Sequence, residues 1–548
     1  MSGVSRFRTA VRGAASGLGA AAAALAAGDL AAAFTGPGSA PVLAVGSAAI
    51  DLTPTPLKDW AVRHFGTQDK TVLLAGIYAT MVVLAVLAGL LALRSLRAGV
   101  AVFALFAGLG LWAASSRDAA LLPSVVAGLA GAALLTVLIR AGRPSAPDGA
   151  TTTVPGTGHG MGDRTGPGAG ESGGESAGHG ADPGPERGAR RDLGRRGFLV
   201  ALAATAVGVA VVETAARALT AARYDVARAR AALRLPAPVR PLPPVPASAH
   251  PVVPGLAPFV TPDSAFYRVD TALTLPQVQP SSWTLRIHGL VDHPVELSFD
   301  ELLRRPLREV DYTLSCVSNE VGGPYVGTAR WLGVSLADLL RETGVRRGAE
   351  QLIGRSADGM TIGTPVELVL DGRDALLAVG MNGEPLPVAH GFPCRSLVPG
   401  LFGYTSATKW LVDLELTTFA GLDPYWVRRG WDRTGLVRTA SRIEVPAPFA
   451  RVAPGRVTVA GTAWATHRGV AAVEVRVDDG PWHEARLATA VSPDVWRQWT
   501  WNWNAVGSGP HTLEVRATDG TGTVQPQTRH PPFPSGATGW HSTVVTVT

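Results

Sequence analysis

The sequence predicts three structural classes in one chain: apolar helices first, a mixed α+β domain next, and an all-β sandwich last. Three observations predict it. Long apolar runs fill residues 1–140, short runs from about Pro262 switch between strand and helix periods, and from Ser441 onward only strand-like runs separated by Asp-Gly turns remain. The chain is 46% hydrophobic and only 17% charged over 548 residues, which leaves room for several domains. Its pI near 9.7 would suit a nucleic-acid partner. The excess is arginine beside apolar segments, with no lysine-rich patch, so an anionic membrane accounts for it and no nucleic-acid partner is expected.

Residues 1–140 read as a four-helix transmembrane region, with runs at Thr9–Phe34, Thr71–Leu93, Ala98–Ala114 and Ala119–Ile139, each close to the length a bilayer requires. Arg94 and Arg97 fall between the second and third runs, and Arg140 and Arg143 follow the fourth. The positive-inside rule therefore puts the amino terminus and Ala141 in the cytoplasm.

Residues 141–194 are rich in Gly, Pro, Ser and Thr and poor in large apolar side chains, the composition of a disordered cytoplasmic linker. Residues 195–215 then form a fifth transmembrane helix; Arg195-Arg196 before Phe198-Leu199 also resembles a twin-arginine export signal. A fifth crossing leaves everything beyond on the extracytoplasmic side. Residues 216–254 read as an Ala/Arg helix and a proline-rich stalk.

In the domain at 255–440, Trp283–Ile287 and Val295–Phe299 read as strands, and Phe299–Arg305 as a helix with Asp300 at its start. Trp331–Glu342 reads as a second helix, with Val334, Leu336, Leu339 and Leu340 on one face, and Leu352–Thr364 as a hairpin around Asp-Gly-Met. The extended run Val310–Leu314 delivers Cys316 into a turn of Ser, Asn and Gly. The chain has only two cysteines, which excludes a disulfide framework and any four-cysteine metal site. A lone cysteine is more often packing than chemistry. Here Ser315, Ser318, Asn319 and Glu320 surround it, and a single soft thiolate suits a metal whose other ligands arrive with a cofactor.

Several separated motifs around this cysteine resemble the sulfite oxidase family of molybdenum-pterin oxidoreductases, which includes bacterial periplasmic methionine-sulfoxide reductases. The resemblance covers about residues 255–440. It rests on the S-C-x-x-N segment at Cys316, on Phe266, Tyr267 and Arg268 in AFYRVD, on MNGEPLPVAHGFPCRSLVPG from Met381 to Gly400, and on SATKW from Ser406 to Trp410. It implies that Cys316 ligates molybdenum and that Phe266, Tyr267, Arg268, Asn319, Asn382, His390, Arg395, Ser406, Thr408 and Lys409 bind molybdopterin. Arg330 and Arg355, for their part, are arginines able to draw an oxyanion substrate; Arg330 is assigned to catalysis with Cys316. Cys394 stands where relatives carry an aliphatic residue and is read as packing. The chain departs from sulfite oxidases at two positions, with Glu320 where arginine and Val379 where tyrosine is common, and an acidic Glu320 in the pocket would disfavour sulfite.

Residues 441–548 resemble the immunoglobulin-like domain of the same family, which can carry a homodimer contact. Trp499, Trp501 and Trp503 alternate onto one face and are assigned to its core. The function expected is that of a membrane-anchored oxidoreductase, multi-pass in the cell membrane, moving an oxygen atom and two electrons to or from a small substrate on the outer face. The competing reading is a cell-surface binding or structural protein with a non-catalytic domain. The chain has no C-x-x-C-H and no histidine in its apolar runs, so haem is not implied, and a separate quinone-linked or cytochrome-type electron partner is expected.

Overall fold

The computed structural model describes residues 3–54, 69–117, 119–142 and 186–548, with isolated residues between 55 and 68; most of the expected linker lies outside them. The chain divides into two compact units, Met1–Gly46 with Gln68–Leu219, and Ser47–Thr67 with Thr220–Thr548.

In the first unit, Gly3–Thr35, Asp69–Arg94, Leu96–Ser115, Leu122–Ala141 and Glu186–Tyr224 are helices. Each is long and apolar enough to cross a membrane. The fifth begins inside the stretch read as linker and runs past the expected end. A shorter apolar helix, Pro41–Leu52, whose residues are divided between the two units, is additional to those expected. Small residues let the first two long helices touch backbone to backbone: a Cβ on Gly89 would lie 2.0 Å from the Gly13 carbonyl oxygen, and one on Gly17 1.9 Å from that of Ala85. Close approach of this kind is how helices associate where no hydrophobic gain separates one from lipid.

In the second unit the proline-rich segment is not a free stalk, contrary to expectation. Its backbone N–H groups at Val239 and Leu242 donate to the Leu307 carbonyl and to Glu309 Oε2, at 2.9 and 2.7 Å, and the Ser248 carbonyl accepts from Thr489 N at 3.0 Å. Repeated prolines remove donors without preventing the remaining ones from pairing with a strand edge.

The α+β domain has two sheets. The first takes the order β2-β1-β10-β5-β6 from Thr284–Gly289 (β1), Val295–Ser298 (β2), Gln351–Ser356 (β5), Thr361–Pro365 (β6) and Leu411–Thr417 (β10), with β1 and β10 parallel. The second runs β3-β4-β7-β8 from Leu307–Ser315 (β3), Val326–Ser335 (β4), Leu376–Met381 (β7) and Glu384–Pro385 (β8); Arg395–Leu397 (β9) pairs with β7. Two sequence expectations shift. Trp331–Ser335 belongs to β4, and the helix starts only at Leu336, where the Ser335 hydroxyl caps it by accepting from Asp338 N. The cap of the helix Phe299–Leu303 is Ser298, in a capping box with Glu301, not Asp300.

The carboxyl-terminal domain packs sheet β11-β13-β17-β16, formed by Ala440–Val445 (β11), Gly455–Trp464 (β13), Arg486–Leu487 (β16) and Arg497–Ala505 (β17), on a second sheet of order β12-β19-β18-β14-β15. That sheet comprises Arg451–Val452 (β12), Val470–Val477 (β14), His483–Glu484 (β15), Gly509–Asp519 (β18) and His541–Val547 (β19). Trp499 and Trp503 are buried between the sheets; Trp501 is half-buried and stacks on His483. This sandwich is bonded to the strand that carries the cysteine: Thr313 N donates to the Asp494 carbonyl at 2.9 Å, and Trp496 N to Thr313 Oγ1 at 2.7 Å.

Candidate active site

Cys316 follows the last residue of β3, and the register Ser315↔Val326 brings the two ends of its loop together. The loop is stapled from within. Cys316 N donates to the Tyr325 carbonyl at 3.0 Å, Asn319 N to the Cys316 carbonyl at 3.1 Å, and Tyr325 N to Asn319 Oδ1 at 2.8 Å. At Gly322, φ is +79°, and a Cβ there would lie 2.1 Å from the His541 ring, so both conformation and space demand glycine. The loop therefore holds the thiol in place; Cys316 Sγ sits 2.9 Å from Ser318 Oγ.

The thiol opens on a cavity of about 150 Å³ lined also by Phe266, Tyr267, Asp270, His390, Arg395 and Lys409. Arg395 is 3% exposed. Its Nη1 donates to the His390 carbonyl at 3.1 Å and its guanidinium lies 5.2 Å from the Trp331 ring centre, but its buried Nε has no partner and no carboxylate among the described residues pairs with it. Burial brings it down to about 10. Lys409 Nζ reaches Asp270 Oδ2 at 2.6 Å, and burial lowers it to about 8. Arg268 Nε takes the same Asp270 oxygen at 2.7 Å. His390 is pushed down to about 4, by burial first and Arg395 next, so it is neutral near pH 7 rather than a third cation. Burial raises the Cys316 thiol, opposed by the Ser318 hydrogen bond and by Lys409.

The sequence-assigned residues divide. Cys316, Phe266, Tyr267, His390, Arg395, Thr408 and Lys409 line one cavity. Asn319 does not; it closes the cysteine loop. Asn382 takes φ +51° in the β7–β8 turn and ties it to Thr261 and Asp263, its Nδ2 donating at 3.1 and 2.7 Å. Ser406 is fully buried and donates to the Phe402 carbonyl at 3.0 Å. Arg268 lies beside the cavity through Asp270.

Arg330 lies apart from these residues. It sits directly opposite Asp311 across the β3–β4 ladder, which its Nε and Nη2 grip at 2.8 and 2.9 Å, while Nη2 also donates to the Pro243 carbonyl at 2.8 Å. It does not line the cavity. Arg355 is likewise held by Asp413 and Glu415. Of the two departures from sulfite oxidases, Val379 is fully buried in the domain core, and Glu320 is exposed and lies outside this cavity, lining with Cys316 a smaller adjoining cleft. Cys394 is fully buried in that same core.

Residues that the motifs did not single out as site residues also line the cavity, among them the bulky Met360, Tyr404, Trp426 and Trp431 and the polar Ser356 and Asp358. The two tryptophans come from the aromatic connector YWVRRGWDR, whose composition was the available signal. Among the described residues no three His, Cys, Asp or Glu side chains cluster as a metal site. A metal beside Cys316 must then bring its own ligands. The unpaired Arg395 and the neighbouring Lys409 fit an anionic cofactor that does so.

Comparison with known proteins agrees. The model of the oxidoreductase molybdopterin binding domain matches residues 272–426, and that of the bacterial Ig domain residues 441–515. Sulfite oxidase of Gallus gallus is 33% identical over 339 residues, covering 52% of this chain and 72% of that protein. The chain belongs to the sulfite oxidase family. It is an oxidoreductase of that family with molybdenum-molybdopterin as its cofactor. The mitochondrial sulfite oxidase of Mus musculus is 30% identical, covering 50% of this chain and 58% of its own length. The uncharacterized oxidoreductase YuiH of Bacillus subtilis is 34% identical over 28% of this chain and 75% of its own.

Proposed function

We propose that the protein is a membrane-anchored member of the sulfite oxidase family that transfers an oxygen atom and two electrons to or from a small substrate on the outer face of the membrane. The observation that carries the catalytic part is the pairing of a lone thiol, Cys316, with a buried arginine, Arg395, that no carboxylate among the described residues neutralises. When bound, the molybdenum cofactor supplies the oxygen-atom and two-electron chemistry. Cys316 gives the metal its protein ligand. Arg395 and Lys409 bind the cofactor's anionic groups, with Asp270 orienting Lys409, and Phe266 and Tyr267, stacked at 5.4 Å, form an apolar flank that excludes water. Asn319 and Asn382 act by fixing the loops, and Ser406 and Thr408 by shaping the segment before Lys409.

The remaining wall, which combines Met360, Tyr404, Trp426 and Trp431 with the carboxyl group of Asp358, favours a neutral organic substrate over a small anion, since Arg330 and Arg355 are both held by carboxylates. Electrons pass to or from a separate carrier. For the anchor, the support is the five long apolar helices together with the placement of Arg94, Arg97, Arg140 and Arg143. Arg195-Arg196 gives a twin-arginine route by which a domain folded around its cofactor leaves the cytoplasm.

Molybdenum and pterin analysis of the purified chain separates this reading from that of a non-catalytic surface protein, which would hold neither. Reporter fusions at Ala150 and Ser441 are expected on opposite sides of the membrane; the same side for both would overturn the topology.

A further inference from the structure

The loop that presents Cys316 has a second set of holds, and they come from the carboxyl-terminal sandwich. Arg442 of β11 donates from Nη1 to the Gly323 carbonyl at 2.9 Å. The other edge of the same guanidinium, Nε and Nη2, rests on Glu444 Oε1 at 2.9 and 2.8 Å. Glu444 is held in turn, accepting from Thr462 Oγ1 and from Ala257 N at 2.8 Å each. The Arg442 and Glu444 side chains are only 12% and 11% exposed, so water competes little for these bonds.

His541, the first residue of β19, supplies the other hold. Ile443 N donates to its Nδ1 at 3.0 Å, which fixes the ring against Gly322, where a Cβ would lie 2.1 Å from Cδ2. Ser441, Trp464 and Gln525 of the sandwich also share with Cys316 and Glu320 the small cleft beside the thiol. These contacts reach the cysteine in few steps. Gly323 N donates to the Glu320 carbonyl at 2.9 Å, and the preceding residue, Asn319, donates from N to the Cys316 carbonyl at 3.1 Å. Gly322 and Gly323 have no side chains to pack, and glycine loses more freedom on ordering than any other residue, so the loop needs partners outside itself.

We infer that Arg442 and His541 are positioning residues for Cys316, so that the sandwich is a working part of the active site. The inference rests on the reading of Cys316 as the metal's protein ligand, since a ligand sulfur is held in place by the partners of the segment that carries it. Arginine suits the task. Its planar fork grips a carboxylate along one edge and a carbonyl with the remaining nitrogen, whereas a lysine ammonium is a single point of charge that would keep Glu444 and release Gly323.

The test is hydrogen–deuterium exchange of the cofactor-free full chain in nanodiscs, where no metal bond holds the loop, with Arg442→Lys and His541→Ala compared with the parent. Each variant should speed exchange of the Cys316–Tyr325 amides about tenfold, the effect of one lost contact on local opening, while β13 and β17 exchange as in the parent. Arg516→Lys alters a like fork, on Glu474 in the other sheet, and should leave the loop unchanged. In the molybdenum-loaded Arg442→Lys chain, X-ray absorption at the metal edge should show the parent's sulfur count with a wider spread of sulfur distances. Loop exchange at the parental rate in both variants, acceleration shared by β13 and β17 in both, or an edge spectrum identical to the parent's would each overturn the inference. The exchange readout needs no metal and so stands apart from the ligand assignment. If Cys316→Ser leaves the sulfur count unchanged, that assignment fails while the exchange rates still report whether the sandwich holds the loop.

Discussion

Replacing Arg395 by methionine separates a cofactor-binding cation from a structural one by the sign of two effects. The guanidinium is almost wholly buried, and burial brings it down to about 10, a penalty on the charged form on the order of 3 kcal/mol that is present in full near pH 7. Methionine keeps most of the volume and removes that penalty. It forfeits the hydrogen bond to the His390 carbonyl, worth about 1.5 kcal/mol or more, and the contact over Trp331, about 1 kcal/mol. These nearly cancel. The cofactor-free chain should therefore change in stability by no more than about 1 kcal/mol. Cofactor retention should move far more, because losing one member of a buried charge pair costs roughly 2–5 kcal/mol, about a thirtyfold or greater drop in affinity. Chemical denaturation of the cofactor-free variant and pterin content after dialysis of the loaded one measure the two effects. A variant destabilised by more than about 2 kcal/mol that still keeps its pterin would show that Arg395 is packing and that the reasoning is wrong.

Three further outcomes are expected. His390 and His541 are both pushed down to about 4 by burial, so below their ordinary value near 6.5 the unfolded chain takes up protons that the folded one refuses. Stability, followed by urea denaturation from pH 7 to pH 4, should fall as pH drops through that window, by roughly 3 kcal/mol for each histidine, and His541→Gln should flatten the slope. In the cofactor-free chain Lys409, lowered to about 8, contributes the same trend in a higher window: its burial penalty is relieved and stability rises as pH climbs above 8, and loading an anionic cofactor should remove that gain, seen as a flat denaturation midpoint from pH 8 to pH 10. Cys394→Ala should cost about 1 kcal/mol and retain molybdenum, measured by denaturation and metal analysis.

Motif order made the cysteine, the Phe-Tyr pair, His390, Arg395 and Lys409 legible, because each sits in a short segment whose neighbours fix its place. The ion pair that holds Arg330 was not legible because register is a long-range property: nothing near it in sequence says that Asp311 stands opposite. The same limit hid the roles of Asn319 and Asn382, whose amides close loops. Trp331–Ser335 has few residues and both helical and strand periods fit it, so only pairing with β7 decides for strand. Val379 shows that a departure from a family pattern bears on substrate only if the side chain reaches the site, since it is buried in the core, whereas Glu320 lines a smaller cleft beside Cys316. The aromatic wall was invisible as a wall because Tyr404, Trp426 and Trp431 meet only in the folded domain.

The claim on which the account depends is that Cys316 supplies the metal's protein ligand. Cys316→Ser exchanges a soft thiolate for a hydroxyl that stays protonated near neutral pH, while Arg395 and Lys409 are untouched and keep their hold on the pterin. X-ray absorption at the molybdenum edge, with pterin content measured on the same sample, should therefore find one sulfur neighbour fewer than in the parent, pterin retained and turnover lost. An unchanged sulfur count with full turnover would contradict the account.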